Sequence, residues 1–271
     1  MKLATFNVNG INARLTGLID WLKSSNVDAV ALQETKTLDE QFPVEAFEEA
    51  GYDAFFTGQK SYNGVALLVR RDSFKSAELT AKAIPNYPDP AKRVIAVTLE
   101  ESSGKKWTFI GAYFPNGREV GCDKYLYKLD WIAALTRWVR SLIEKKKGLV
   151  LAGDFNIAPT DADVWNPESW KGKILVSAPE RDAYYGLLNV GLIDLWGRFP
   201  HATGTYSWWD YRQQGFEKNQ GLRIDHILAS ATPTSRLSDI FIDTAPRATD
   251  RPSDHAPVIA VFDEPREGEL F

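Results

Sequence analysis

Five places in this sequence set chemistry-bearing side chains at or beside apolar runs. Lys2–Phe6 leads into Asn7, and Val27–Leu32 leads into Gln33 and Glu34. Leu149–Gly153 leads into Asp154, Phe155 and Asn156. Asp254 and His255 stand just before the final apolar run, and Asp225 and His226 lie inside the run Leu222–Leu228. Rigid strands that end in carboxylates and amides aim several oxygen ligands at one point. An oxygen-rich set suits magnesium, with manganese as a substitute, rather than zinc.

Each member of the set also has a plain structural reading. An Asp after a strand is more often a turn or capping residue. Asn7 would then start the turn in Asn-Val-Asn-Gly, His226 would be a packed histidine, and Asp254 with His255 a loop pair. Asp225 inside a strand is harder to dismiss, because a buried carboxylate needs a partner. The combination carries the signal, not any single residue.

The elements that must position these groups follow from hydrophobic period. Lys2–Phe6, Val27–Gln33, Asn63–Arg70, Arg93–Glu100, Lys106–Phe114, Leu149–Ala152, Arg223–Ala229 and Ala256–Phe262 read as strands. Gly104 supports a hairpin into Lys106–Phe114. Arg14–Ser24 reads as an amphipathic helix with Leu15, Leu18, Ile19 and Leu22 on one face. Tyr125–Lys146 reads as the longest helix, with Gly148 as its stop, and Glu180–Val190 as another. The alternation predicts an α/β protein of two layered sheets with helices outside.

With 271 residues and no linker or low-complexity tract, the expectation is one domain over 1–271, ending in an acidic tail from about 263 to 271. The apolar runs are strand-sized, well short of the roughly 20 residues of a membrane span. The N-terminus has no apolar run of signal-peptide length. One cysteine, Cys122, excludes an internal disulfide and fits a reducing compartment, so the expected location is cytoplasmic. Cys122 reads as a small, partly buried side chain. The net charge of −4 does not advertise a nucleic-acid binder. Basic residues do stand beside aromatics, as at Lys60 and Tyr62, in Lys124–Lys128 and in Trp208–Arg212. Composition is therefore neutral on DNA.

Five segments resemble the exonuclease III-type AP endonucleases, within the wider endonuclease/exonuclease/phosphatase fold. They are ATFNVNGI near the start, LQETK at Leu32–Lys36, GAYFPNG at Gly111–Gly117, GDFNIAP at Gly153–Pro159 and SDHAP at Ser253–Pro257. SWWDYR followed by GLRIDHIL is similar to the bacterial branch. The motifs keep the family order and span nearly the whole chain. The resemblance implies a two-sheet α/β sandwich, four layers with helices on the outer faces and the site at one rim.

It also implies roles. Glu34 is the principal magnesium ligand, with Asn7 and Asp254 close by and Asp154, Asn156 and His255 bordering the ion. Asp154 orients and deprotonates the attacking water, with Asn156 holding it. Tyr113 contacts the phosphate or acts as a proton source. His255 touches a non-bridging phosphate oxygen, and Asp225 fixes its tautomer and favours its charged form. Trp208 lines the pocket for a flipped-out abasic sugar, and Arg212 and Lys124 are phosphate contacts. The bland alternatives are core packing for Tyr113, a core or sheet-face position for Trp208 and Trp209, and solvated surface for Arg212 and Lys124. The motifs do not fix one or two metal ions, nor whether Asp154 or the metal activates the water.

The implied function is magnesium-dependent hydrolysis of DNA phosphodiesters. It covers 3′→5′ exonuclease, 3′-phosphatase and abasic-site endonuclease action by a monomer on double-stranded DNA with abasic sites or blocked 3′-ends. Bulky side chains in 161–173, Trp170 and Lys171 among them, would hinder an abasic sugar while leaving 3′-end trimming intact. Two rivals remain. One is a phosphodiesterase of this fold acting on a non-DNA substrate such as a phospholipid or inositol phosphate. The other is a catalytically dead DNA-binding module, which would lack Glu34, Asp154 or His255.

Overall fold

The computed structural model describes residues 1–145 and 148–264, so the expected acidic tail lies almost entirely outside the described residues. Two six-stranded sheets stack face to face, with strands numbered along the chain. The first runs β13 (Leu237–Ile242), β14 (Val258–Phe262), β1 (Lys2–Asn7), β2 (Ala29–Gln33), β4 (Val65–Arg70), β3 (Tyr52–Thr57). The second runs β5 (Ser76–Ala81), β6 (Val94–Glu100), β7 (Lys106–Tyr113), β8 (Gly148–Asp154), β12 (Asp225–Ala229), β9 (Ile193–Asp194). A short ribbon, β10 (Trp208–Trp209) with β11 (Gly221–Leu222), stands beside them. The helices are α1 (Ile11–Ser25), α2 (Val44–Glu49), α3 (Asp123–Glu144), α4 (Pro167–Trp170), α5 (Ala178–Asn189) and α6 (Ala231–Thr234).

The central strands are covered on both faces, which is why they read as near-continuous apolar runs. One set of alternating side chains fills the space between the sheets. Leu3, Ala29, Ala31 and Leu67 of the first sheet share that core with Phe109, Val150, Ala152 and Ile227 of the second. The opposite set meets helices. Ala4, Val30 and Leu32 pack with Leu18, Trp21 and Leu22 of α1. Ile110, Ala112, Leu149 and Leu151 pack with Trp131, Leu135 and Val139 of α3 and Tyr184 and Leu187 of α5. A one-residue slip would turn each set onto the wrong layer, so burial on both faces fixes the register. The result is the helix–sheet–sheet–helix sandwich expected.

Several local expectations are corrected. Gly148 is the first residue of β8 and not the stop of α3, which ends at Glu144. Asn7 is the last residue of β1, and its Oδ1 also accepts from Asn9 N at 3.0 Å, so it both ends the strand and opens the turn. The strand expected over Arg223–Ala229 starts only at Asp225, and β11 just before it pairs in a different sheet. Between the two strands Arg223 turns its guanidinium inward. It donates to Asp163 Oδ1 at 2.6 Å and to His226 Nδ1 at 2.8 Å, and faces Asp194 at 3.4 Å. Because arginine can only donate, His226 carries its proton on Nε2 and gives it to the Ile157 carbonyl at 2.8 Å. Lys128, grouped by sequence with the basic residues that stand beside aromatics, is fully buried. Cys122 is half-buried at the N-cap of α3. No helix among the described residues is long and apolar enough to cross a membrane.

Asp163 and Arg223 are both nearly inaccessible, at 7% and 6% side-chain exposure. Removing one partner strands a buried charge, which costs roughly 3–5 kcal/mol. Asp163→Ala is expected to lose that much in urea denaturation, whereas loss of less than about 1 kcal/mol would show that Asp194 alone compensates Arg223.

Candidate active site

The two sheets bring their polar strand ends to one edge. β1 and β2 run parallel with Asn7 opposite Gln33, which puts Glu34 one residue beyond Asn7. Glu34 adopts a left-handed backbone at φ 53°, unusual for a residue with a side chain. Pairing of the following segments holds it there: Val8 N donates to Gln33 O, Gly10 N to Glu34 O and Ile11 N to Thr35 O, at 2.7–3.0 Å. In the other sheet β7 and β8 run parallel with Tyr113 opposite Asp154. Gly153 permits that approach, since a Cβ there would meet the Ala112 carbonyl oxygen at 1.9 Å. Across the antiparallel pair, Asp225 of β12 stands opposite Asp154. Parallel neighbours in each sheet thus end side by side, and the sheet-to-sheet stack sets the two ends facing.

Asn7 joins them. Its Nδ2 donates to Glu34 Oε1 and to Asp154 Oδ2, both at 2.9 Å. Glu34 Oε2 faces Lys36 Nζ at 2.7 Å. Asp154 Oδ1 accepts from the Asn156 amide at 2.9 Å, and Asn156, also left-handed at φ 51°, accepts at Oδ1 from Asn116 Nδ2 at 3.0 Å. His255 donates from Nδ1 to Asp225 Oδ2 at 2.8 Å and turns Nε2 toward Asp154 Oδ2 at 3.7 Å. Ser207 also donates to Asp225 Oδ2, at 2.7 Å.

Burial and charge set the titration of these groups. Burial raises the Asp154 carboxyl and Asp225 and Glu34 raise it further, against His255 and Asn7, leaving it at about 7. Burial alone would push the His255 imidazole down, but Asp225 and Asp154 outweigh it and lift it to about 10. Glu34 is held below its usual value despite burial, by hydrogen bonds from Asn7 and Lys36. Tyr113 is driven well above the ordinary phenol range by burial and by Glu34 and Asp154. Arg93 lies over its ring at 4.9 Å.

Glu34, Asp154 and His255 each offer a ligand atom within 4.8 Å of the others. Two of the three are carboxylates and none is a thiolate, which fits a hard divalent cation. Asn7 and Asp225 join this centre directly. Asp254 stands one step away, with Oδ1 taken by Asn9 Nδ2 and Oδ2 by Trp208 Nε1, each at 2.9 Å. Trp208 is half-buried beside it, whereas Trp209 is core. Arg212 is paired with Asp210 through its Nε and Nη2 and is largely exposed; Lys124 is exposed on the first turn of α3. No role is read from sequence for Ser207, Asn9 or Asn116, although they fall inside SWWDYR, ATFNVNGI and GAYFPNG. Lys36 and Ser253, which donates to the Asn7 carbonyl at 2.6 Å, fall inside LQETK and SDHAP, the one signal that reaches them.

A raised imidazole stabilises the fold fully below the ordinary histidine value of about 6.5, and that stability is lost as pH rises towards 10. In the metal-free protein, nitrogen-15 NMR is expected to show His255 protonated through pH 8. Asp225→Asn is expected to bring its titration down towards or below 6.5, the ordinary histidine value. A wild-type midpoint near 6.5 would show that the carboxylates do not outweigh burial.

The sequence profile of the Endonuclease/Exonuclease/phosphatase family matches residues 4–255. The chain is 37% identical over 271 residues to Exodeoxyribonuclease III of Haemophilus influenzae, covering 97% of this chain and 100% of that one. A solved 3′-5′ exonuclease, NExo, from Neisseria meningitidis is 41% identical with a TM-score of 0.88, covering 97% of this chain and 100% of that chain. The same coverage, identity and TM-score relate it to a structure of the 3′ phosphatase NExo from Neisseria bound to product DNA hairpin. An AP endonuclease from Archaeoglobus fulgidus is 32% identical with a TM-score of 0.88, again over 97% and 100% of the two chains. Profile, relatives and a shared two-sheet architecture agree: the chain belongs to the Endonuclease/Exonuclease/phosphatase family.

Proposed function

We propose that this chain is a DNA-repair phosphodiesterase that clears 3′-phosphates and 3′-terminal nucleotides and incises DNA at abasic sites. The observation that carries the reading is the Asn7 amide holding one carboxylate from each sheet, with the Asp225–His255 pair against the second. The names of the relatives, an exodeoxyribonuclease, a 3′ phosphatase and AP endonucleases, support DNA as the substrate. A rival on inositol phosphates or phospholipids finds no such support, and a dead module would lack Glu34, Asp154 or His255, all of which are present.

Glu34 and Asp154, assisted by Asn7, would hold magnesium, or manganese in its place. The bound ion would neutralise the scissile phosphate and stabilise the leaving oxygen. In this reading Asp154 orients a water and takes its proton, while the Asn156 amide keeps the carboxylate turned to the cleft. His255 Nε2 faces the phosphate and meets the charge that grows there, with Asp225 fixing the ring from behind. Tyr113 donates to a phosphate oxygen, since its phenol keeps its proton. The Trp208 indole walls the sugar side. Residues 161–176 share an apolar cluster with Trp208 through Val164, Trp170 and Ile174. In this reading the bulky segment packed beside Trp208 favours terminal substrates over a sugar flipped from an internal site. A monomer working in the cytoplasm, on double-stranded DNA with abasic sites or blocked 3′-ends, completes the proposal.

The test is a panel of duplexes carrying a 3′-phosphate, a recessed 3′-end and an abasic site, with inositol phosphates alongside. Hydrolysis of the DNA substrates is expected to need magnesium and to stop in excess chelator, with the 3′-phosphate the best of the three. Glu34→Ala is expected to lose on the order of two to three decades in rate. Undiminished turnover in chelator, or preference for inositol phosphates, would overturn the reading.

A further inference from the structure

A lysine outside the cleft stands behind its catalytic turn. Lys128 projects from α3, in the outer helical layer, and no part of its side chain reaches solvent. Its ammonium donates to the Asn156 carbonyl at 2.7 Å, to the Asn116 carbonyl at 3.2 Å, and to Glu180 Oε1. An ammonium has three protons, and here all three are placed. Two of the acceptors are main-chain carbonyls just past the ends of β7 and β8, where the strand ladder has stopped. The turns that carry them are also linked directly, through Asn116 Nδ2 and Asn156 Oδ1.

The surroundings are shaped around this stem. A Cβ on Gly117 would lie 3.1 Å from Lys128 Cδ, and its φ of 89° already suits glycine. Glu180 is fully buried as well, and is itself fixed: Oε1 accepts from Leu175 N, and Oε2 from Ser177 N and Oγ. Burial pushes the Lys128 ammonium down from its ordinary value, and Glu180, with Asp154 further off, works against that. A buried ion pair is a poor source of stability, since well-packed apolar side chains of the same volume serve as well or better. What an apolar pair would not supply is a donor to the two turn carbonyls.

We propose that Lys128 is a positioning residue for Asp154 and Asn156, holding the turn after β8 against the turn after β7 so that the carboxylate keeps its aim. The proposal rests on the phosphodiesterase reading of the cleft. Displacing a reacting group by about 1 Å costs on the order of 100-fold in rate. The test pairs Lys128→Met with Glu180→Gln, which removes both charges together and keeps an acceptor for the Ser177 amide. With magnesium bound, release of phosphate from a 3′-phosphorylated duplex is expected to fall at least 10-fold in kcat, with KM within two-fold and Tm within a few degrees. Amide hydrogen exchange of the metal-free protein is expected to quicken at 114–117 and 154–157 and to stay unchanged in the central strands.

Wild-type kcat in the folded double variant, or a loss carried by KM, would overturn the proposal. Should the double variant not fold, Lys128→Arg decides. It keeps the charge facing Glu180 but cannot place a fork on both carbonyls. A kcat loss of about five-fold or more at unchanged Tm supports the proposal, and full activity overturns it. If the wild type itself does not act on DNA, the functional reading has failed, and exchange at the two turns still decides the role of Lys128.

Discussion

One amide holds this cleft together. Asn7 Nδ2 touches Glu34, from the first sheet, and Asp154, from the second. The two carboxylates would otherwise repel across a region from which water is largely excluded, where such repulsion is poorly screened. The amide donates to both, which holds one oxygen of each carboxylate against the same nitrogen. Everything else at the edge follows from the need to keep that arrangement. Asn7 sits at the end of a strand buried on both faces, and its own carbonyls are taken by Asn9 N and Ser253 Oγ. The core between the sheets therefore acts as the support of the site, because any change in sheet spacing moves the two carboxylates apart.

Charge is balanced in layers around this point. Glu34 leans on Lys36, and Asp225 and Asp154 on His255. Behind them the buried pairs Lys128–Glu180 and Arg223–Asp163 tie the turns after β8 and before β12 to the outer helices and to 161–163. A fold this large does not need ion pairs for stability, since apolar burial of about 25 cal/mol per Å² supplies that. Directed donors do something burial does not, which is to fix where a turn lies once the strand ladder has ended.

The sheets and the first line of site residues were legible in sequence for one reason. Strands covered on both faces are apolar throughout, so a carboxylate or amide at their end breaks the pattern, as with Asn7, Glu34 and Asp154. Polar edge strands give no such contrast, which is why β5, with Glu78 and Thr80 along it, escapes the periodicity. Long-range partners escape as well. Lys128 in a helix and Arg223 after a strand look like surface bases, and only the packing of distant segments shows them turned inward. Asp225 was the exception, because a carboxylate in an apolar run demands a partner and His255 supplies one.

Alignment of the two sheets' carboxylates by the Asn7 amide is tested most directly by Asn7→Ala. The measurement is 3′-phosphate release from duplex DNA as a function of magnesium, with Tm followed in parallel. At a Tm close to wild type, kcat is expected to fall about 100-fold. Half-saturation by magnesium is expected to rise on the order of 10-fold. A folded Asn7→Ala protein with wild-type turnover and wild-type magnesium dependence would contradict the account.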